Sequence, residues 1–410
     1  MEFLTILYLV YTFIALYILM IYILTYIQNR KQFYEIIKPD KIRPLSIIIP
    51  CFNEEKNIAK NIEAFLSSDY KGLKKIIVVD DCSTDNSYNI IKQYAKKYPR
   101  VIALKTPKNT GNAAGAKNFG VKYVKTELIG FSDADSIPNK NAISQMIGFF
   151  NDQKTGGVTS RVFVNNPKNF LTRTQAIEYK IIAFTRKLLG FLDSIYVTNG
   201  PLSIYRKEAF NQVNGFDENN LTEDIELTWH LVSKGWKIQM SVPAIIYSSP
   251  PTTIKTWFHQ RIRWNVGGIQ TVAKYRKKVL EVGMLGYFIM PFFIVSWFLG
   301  LTGLFFLVYR ITRYIMVRFL VAKYSVAAQV ALITMEDMSI SPSILFFFGI
   351  FLFTLGFAYT ITAISKSKEK GLITGHPVRD IFIYSFFYLL MYPPLLIVAF
   401  YKYARGYNEW

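Results

Sequence analysis

Cysteine, histidine and acid are all scarce in this chain, and each shortage closes off a class of function. Two cysteines, Cys51 and Cys82, in 410 residues cannot build a disulfide scaffold, and no CxxC or Cys/His cluster suggests zinc. The three histidines, His230, His259 and His376, lie far apart, which argues against a histidine metal centre. Asp and Glu number 28 against 48 Lys and Arg, a formal charge of +20. Charged residues make up only 19% of the chain and apolar residues 51%, so it is not a disordered polyelectrolyte. Internal repeats and low-complexity tracts are absent. At roughly 150 residues per domain, the length allows two or three structural units.

A mean hydropathy of +0.21 turns attention to membrane. Excess Lys and Arg have two common origins, the cytoplasmic flanks of membrane helices and nucleic-acid binding. Here they concentrate beside long apolar runs, which favours a lipid bilayer as partner and no nucleic acid. Residues 3–27 are almost entirely apolar and long enough to cross a hydrocarbon core of about 30 Å. They have no basic leader and no small-residue cleavage site, so they read as a retained anchor. Arg30, Lys31, Lys38, Lys41 and Arg43 follow, and the positive-inside rule places them and the next domain in the cytoplasm. Residues 284–309, 344–364 and 381–401 are three further candidate spans, with Pro291 and the Pro393-Pro394 pair expected to kink their helices. Four spans leave both termini outside and put Lys366, Lys368, Lys370 and Arg379 inside. Arg310, Arg313, Arg318 and Lys323 then fall outside, against the rule, and residues 311–335 are not assigned as a span. Few charges lie within the spans, which argues against a transporter.

Between the anchor and the later spans, apolar runs of strand length at 45–49, 75–79, 101–104, 128–131 and 157–164 alternate with amphipathic helical stretches. Ile58, Ile62, Phe65 and Leu66, for example, share one helical face. Such alternation predicts parallel strands with crossover helices, hence an α/β layered sheet. Residues 252–282 are basic and rich in aromatics, as in helices lying in a membrane interface or in an ordinary solvated basic helix.

Polar clusters follow the apolar runs. The first strand ends in Pro50-Cys51-Phe52-Asn53-Glu54-Glu55 and the second in Asp80-Asp81-Cys82-Ser83. Ligands bind at such carboxyl ends, and a carboxylate doublet there can accept hydrogen bonds from a nucleobase or ribose; the same residue types also simply terminate strands. Asp133 and Asp135 stand two apart at the end of a further strand and project from one side, a donor set suited to a hard divalent cation completed by substrate phosphate. Thr222-Glu223-Asp224 offers either a general base or an N-cap with acids in the first turn. Gln260-Arg261-Ile262-Arg263-Trp264 supplies a guanidinium for phosphate and an indole face for a sugar ring, or is a basic, aromatic helix segment.

The ordered set DDxS, DxD, TED and QxxRW resembles the membrane-embedded glycosyltransferases of family 2, which include cellulose, chitin, hyaluronan and poly-N-acetylglucosamine synthases. The resemblance covers about residues 44–268 and implies a GT-A fold with inverting, metal-dependent transfer from a nucleotide sugar, usually UDP-linked. It implies donor contacts by Pro50, Asn53, Glu55, Asp80, Asp81, Asp133 and Arg263. Asp135 with Asp133 would hold Mg²⁺ or Mn²⁺, and Asp224 would deprotonate the acceptor hydroxyl. Glu223, Gln260 and Trp264 would contact the acceptor, and the segment 199–206 resembles that beside the family's acceptor site. Inverting transfer needs one base and a neutralised leaving group, whereas a glycosidase needs two carboxylates flanking the bond. The expected organisation is an N-terminal membrane helix at 1–28, a basic linker at 29–43, a GT-A domain at 44–250, amphipathic interface helices at 251–283 and about three spans at 284–410. The expected product is a growing polysaccharide carried across the cell membrane from a cytoplasmic catalytic domain. The alternative is single transfer to a ceramide, diacylglycerol or polyprenyl-phosphate acceptor. The chain departs from the pattern in two places: Cys82 replaces a frequent Gly, and Gly111-Asn112-Ala113-Ala114-Gly115-Ala116-Lys117-Asn118 replaces a Gly-Lys-Ala-Gly-Ala-Leu-Asn type segment. These departures bear on donor identity and processivity.

Overall fold

The computed structural model describes residues 3–281, 283–328, 344–367 and 377–407. A long apolar helix, α1 (Phe3–Asn29), precedes an eight-stranded layered domain. In chain order the domain contains β1 (Leu45–Cys51), α2 (Ile58–Leu66), β2 (Leu73–Asp80), α3 (Ser87–Lys97), β3 (Val101–Lys105), α4 (Ala113–Val121) and β4 (Leu128–Phe131). It continues through β5 (Ile137–Pro138), α5 (Ser144–Ile147), β6 (Thr155–Val164), α6 (Phe170–Phe191), β7 (Ser203–Arg206), α7 (Lys207–Gln212), α8 (Glu223–Ser233) and β8 (Lys237–Ser248). Among the described residues that follow are four α-helices: α9 (Ile254–Tyr275), α10 (Met290–Ala328), α11 (Ile344–Ser365) and α12 (Pro377–Ala404).

The strands lie in the order β3-β2-β1-β4-β7-β6-β8-β5. Strands β1 to β4 are parallel, as the alternation predicts, because their apolar runs cover both faces: Ile47, Ile48 and Ile49 are all fully buried. The other half is mixed. β7 is antiparallel to β4 and β6, while β6 and β8 are parallel. The parallel order brings the polar ends of β1, β2 and β4 to one edge of the sheet, where ligands of open α/β sheets bind.

Among the described residues, four helices are long and apolar enough to cross a membrane, and each predicted span falls in one of them. Both prolines of the Pro393-Pro394 pair sit inside the unbroken α12, and Pro291 follows a π-helical turn, Leu285–Ile289. The Arg161 guanidinium donates to the Ser367 carbonyl, and Arg173 lies 3.7 Å from Asp380, so the end of α11 and the start of α12 abut the layered domain. Lys366 and Arg379 are therefore on that side, while Lys368 and Lys370 lie outside the described residues. α12 packs along α9: Trp257 meets Phe387 and Tyr388, and Trp297, which adjoins Gly268, meets Phe400.

Candidate active site

A cavity of about 1060 Å³ opens between the strand ends and α6, α9, α10 and α12. Of the residues predicted for the site, Pro50, Asp81, Asp133, Asp135, Glu223, Asp224, Gln260, Arg263 and Trp264 all line it. Residues 199–201 line it as well. Three do not. Asp80 is fully buried behind it, with Oδ2 accepting from the Ser83 N–H. Asn53 and Glu55 are on the outer side of the first turn. There Asn53 accepts from the Thr84 N–H at 2.8 Å and Glu55 from the Asn86 N–H at 3.1 Å, tying the first turn to the second.

Asp81 is held in one place by the Thr106 hydroxyl at 2.7 Å, the Thr110 hydroxyl at 2.7 Å and the Thr110 N–H at 3.0 Å. Cys82 follows with φ of +61°, in the left-handed region that favours glycine, which accounts for the glycine frequent at this position in the resembled family.

The acids on the far side of the cavity are divided by one lysine. Lys117 is 2% exposed, and its ammonium donates to Glu223 at 2.8 Å and lies 3.8 Å from Asp133. Burial acts to raise the Glu223 carboxyl, but Lys117 prevails and holds it below the ordinary carboxylate range. Asp224 has no such partner: burial and the adjacent Glu223 charge push it up to about 7. Its Oδ1 accepts from the Ile225 N–H at 2.9 Å, at the start of α8. Thr222 occupies the N-cap position of α8, but its side chain donates to Asn220 and makes no capping bond. The carboxylates at the helix start are thus free for other work than capping.

Asp133 and Asp135 also face the cavity. Burial and the neighbouring Asp133 charge push Asp135 up to about 7, and the Ser136 hydroxyl donates to it at 3.0 Å. Two crowded carboxylates with oxygen donors fit a divalent cation, whose charge would relieve the crowding. Among the described residues no cluster of three or more His, Cys, Asp or Glu side chains exists, so the remaining ligands would be phosphate oxygens and water.

Several lining residues lay outside the sequence prediction: Glu54, Glu178, Arg261 and, on α12, Tyr384, Tyr388 and Tyr392. The three tyrosines recur every fourth residue, a one-face spacing that is legible in the sequence once a helix is assumed.

Residues 46–213 match Glycosyl transferase family 2. Two similar curated proteins are poly-beta-1,6-N-acetyl-D-glucosamine synthases. That of Staphylococcus epidermidis is 27% identical over 255 residues, covering 62% of this chain and 61% of its own. That of Staphylococcus aureus is 28% identical over 240 residues, covering 58% of each. The aligned part thus spans about three-fifths of these relatives' length. Among solved structures, the mannosyltransferase PcManGT of Pyrobaculum calidifontis, in complex with GDP-Man and Mn²⁺, covers 88% of this chain and 99% of its own at a TM-score of 0.56 and 16% identity. At that identity the likeness establishes the fold, a GT-A-like glycosyltransferase domain joined to long apolar helices.

Proposed function

We propose that this chain, carrying a family 2 glycosyltransferase domain over residues 46–213, transfers a sugar from a nucleotide-sugar donor to a growing polysaccharide with inversion and with a divalent metal. One observation carries the reading. The Asp133/Asp135 pair, the perturbed Asp224 and the Arg263/Trp264 pair, drawn from β4, α8 and α9, line a single cavity. UDP-N-acetylglucosamine is the first donor to test, because the relatives' names specify that polymer.

In this mechanism Asp81 binds the nucleoside, its carboxylate fixed by Thr106 and Thr110. Asp133 and Asp135 would hold Mg²⁺ or Mn²⁺, whose positive charge would offset that of the diphosphate leaving group when the ion is bound. Arg263 adds a further cation on the leaving-group side. Asp224, with a basicity near neutrality, takes the proton from the acceptor hydroxyl as that oxygen attacks the anomeric carbon. Lys117 keeps Glu223 charged, and that charge in turn raises the basicity of Asp224. Trp264 offers the acceptor sugar an aromatic face. Phe293 and Trp297 of α10 and the tyrosines of α12 also wall the cavity, so the growing chain would leave between apolar helices and cross the membrane. The basic flank after α1 supports a cytoplasmic layered domain.

The test is donor turnover by detergent-purified protein offered UDP-glucose, UDP-N-acetylglucosamine, UDP-glucuronate or GDP-mannose with Mg²⁺ or Mn²⁺, with Asp224→Asn as control. Metal-dependent release of nucleotide diphosphate with long products, abolished in the variant, is the expected result. Short, lipid-extractable products would overturn the polymer reading.

A further inference from the structure

Away from the cavity, the end of α9 is strapped to the start of α8. Asp224 and Glu226 stand two apart on α8 and so face nearly opposite sides of it. Asp224 lines the cavity and Glu226 does not. Glu226 Oε1 accepts from the Lys274 ammonium at 2.6 Å and from the Tyr275 hydroxyl at 2.9 Å, both at the end of α9. Lys274 also donates to Asp217 at 2.7 Å, in the segment before α8. Between these bonds, the Asn220 amide donates to the Thr271 hydroxyl at 3.0 Å, and the Leu221 N–H to the Gln270 side chain at 3.0 Å. The whole approach to the proposed base, residues 217–226, is therefore tied to the last two turns of α9.

An exposed ion pair contributes little, but this one is anchored in the interior. The Glu226 side chain is 1% exposed, and its Oε2 is buried with no hydrogen-bond partner among the described residues. Without the ammonium, a buried carboxylate would be left uncompensated, which is strongly unfavourable, and α8 would shift to bring it to water. Burial acts to lower the Lys274 ammonium, but its hydrogen bonds to Asp217 and Glu226 prevail and raise it, so it stays charged. α9 is one unbroken helix, Ile254–Tyr275. Arg263 and Trp264 line the cavity from its middle, and Lys274 lies about 16 Å further along the axis. One rigid element thus holds the leaving-group and acceptor side chains at one place and grips the base segment at another.

We propose that Lys274 and Glu226 are positioning residues: through α9 they fix Asp224 relative to Arg263 and Trp264. They act on the approach of the base to the acceptor hydroxyl and not on donor affinity. This rests on the glycosyl-transfer reading above and adds to it the device that keeps the two halves of the site in register.

The experiment uses the full chain in lipid nanodiscs with Mg²⁺ or Mn²⁺ and the four donors named above. Lys274→Met removes the ammonium and keeps the side-chain length, and Lys274→Arg restores a cation. Tyr275→Phe removes the second bond to Glu226 and keeps the ring against Trp229. Lys277→Met, at an exposed basic residue of the same stretch, is the control. UDP affinity and amide exchange are measured beside turnover. In Lys274→Met kcat is expected to fall about tenfold, the size of one charge-assisted hydrogen bond, while donor KM and UDP affinity stay. Exchange at residues 220–226 speeds up, and exchange in β1 to β4 does not change. Tyr275→Phe shows a smaller fall in kcat at the same KM, Lys274→Arg recovers most of kcat, and Lys277→Met matches wild type. If Lys274→Met loses UDP binding as well, Tyr275→Phe decides: a lowered kcat at unchanged UDP affinity upholds the proposal, and an unchanged kcat overturns it. Unchanged kcat in both variants, or an arginine that restores slow exchange without restoring kcat, would overturn the positioning role and leave the transfer reading intact. No transfer from any donor by wild-type protein that binds UDP would overturn the transfer reading, and the positioning role with it.

Discussion

Glu223 and Asp224 are neighbours with the same chemistry and opposite fates, and Lys117 makes the difference. Its ammonium stabilises the charge on Glu223, and that fixed charge with burial raises Asp224 to about 7. The proposed base must be deprotonated to act, so activity should be lost as pH falls through that value. The expected profile of kcat/KM climbs about tenfold per pH unit below about 7 and is flat above it. Asp224→Asn should lower kcat by about 10² to 10⁴ and leave no rising limb, which initial rates across pH 5.5–8.5 would reveal. Most of these side chains were legible because order and spacing survive in one dimension. Lys117 was visible only as an odd residue in a glycine-rich segment, since its partner Glu223 is 106 positions away. Asn53 and Glu55 show the converse: adjacency to a motif put them among the candidates, but a left-handed Asn53, φ +55°, turns the chain so that they bond the second turn instead of facing the cavity.

At the scale of elements, the contact between α8 and α9 carries the site. A Cβ on Gly267 would stand 2.2 Å from the Thr222 hydroxyl oxygen and 2.7 Å from the Thr222 backbone nitrogen. Backbone at that distance cannot yield, so α9 approaches the start of α8 only because Gly267 lacks a side chain. Gly267→Ala gains about 1 kcal/mol in helix propensity. Overpacking costs about 1–3 kcal/mol, so the net effect should be destabilising. Because Thr222 directly precedes Glu223 and Asp224, kcat should fall about tenfold or more as the base is displaced. Thermal unfolding and turnover of the same preparation check both. The parallel half of the sheet was readable from its continuous apolar runs, whose burial on both faces is unmistakable. β7 and β8 were not. β7 has only four residues; β8 does alternate, with Lys237, Gln239, Ser241 and Pro243 set against buried Ile238, Met240, Val242 and Ala244, but the proline within the run demotes it as a strand candidate. The tyrosine stripe of α12 was hidden for another reason: a hydropathy scan sees a span and not which face of it is polar.

On the scale of the whole molecule, α10 is the feature that a span count misses. Its 39 residues extend about 58 Å, close to twice a hydrocarbon core of about 30 Å. Phe306 packs against Tyr8, near the start of α1, so residues 311–328 continue beyond the other helices and are almost entirely exposed. The basic segment Arg310, Arg313, Arg318 and Lys323 is thus a continuation of a helix on the side away from the layered domain; the rest of the unassigned 311–335 segment lies outside the described residues. Val326→Cys should react with a membrane-impermeant maleimide in intact cells, and Lys125→Cys, on the layered domain, only after permeabilisation. The reverse pattern would invert the orientation. One further property of the molecule is that the two proposed substrates meet in one shared chamber. Donor-side and acceptor-side residues share the same cavity of about 1060 Å³. On the proposed reading, donor and acceptor would compete for room in that chamber at every addition. The newly added sugar would have to step forward and the spent nucleotide depart before another donor enters. If the chain polymerises as proposed, added nucleotide diphosphate should slow chain growth, which initial rates with and without it would check.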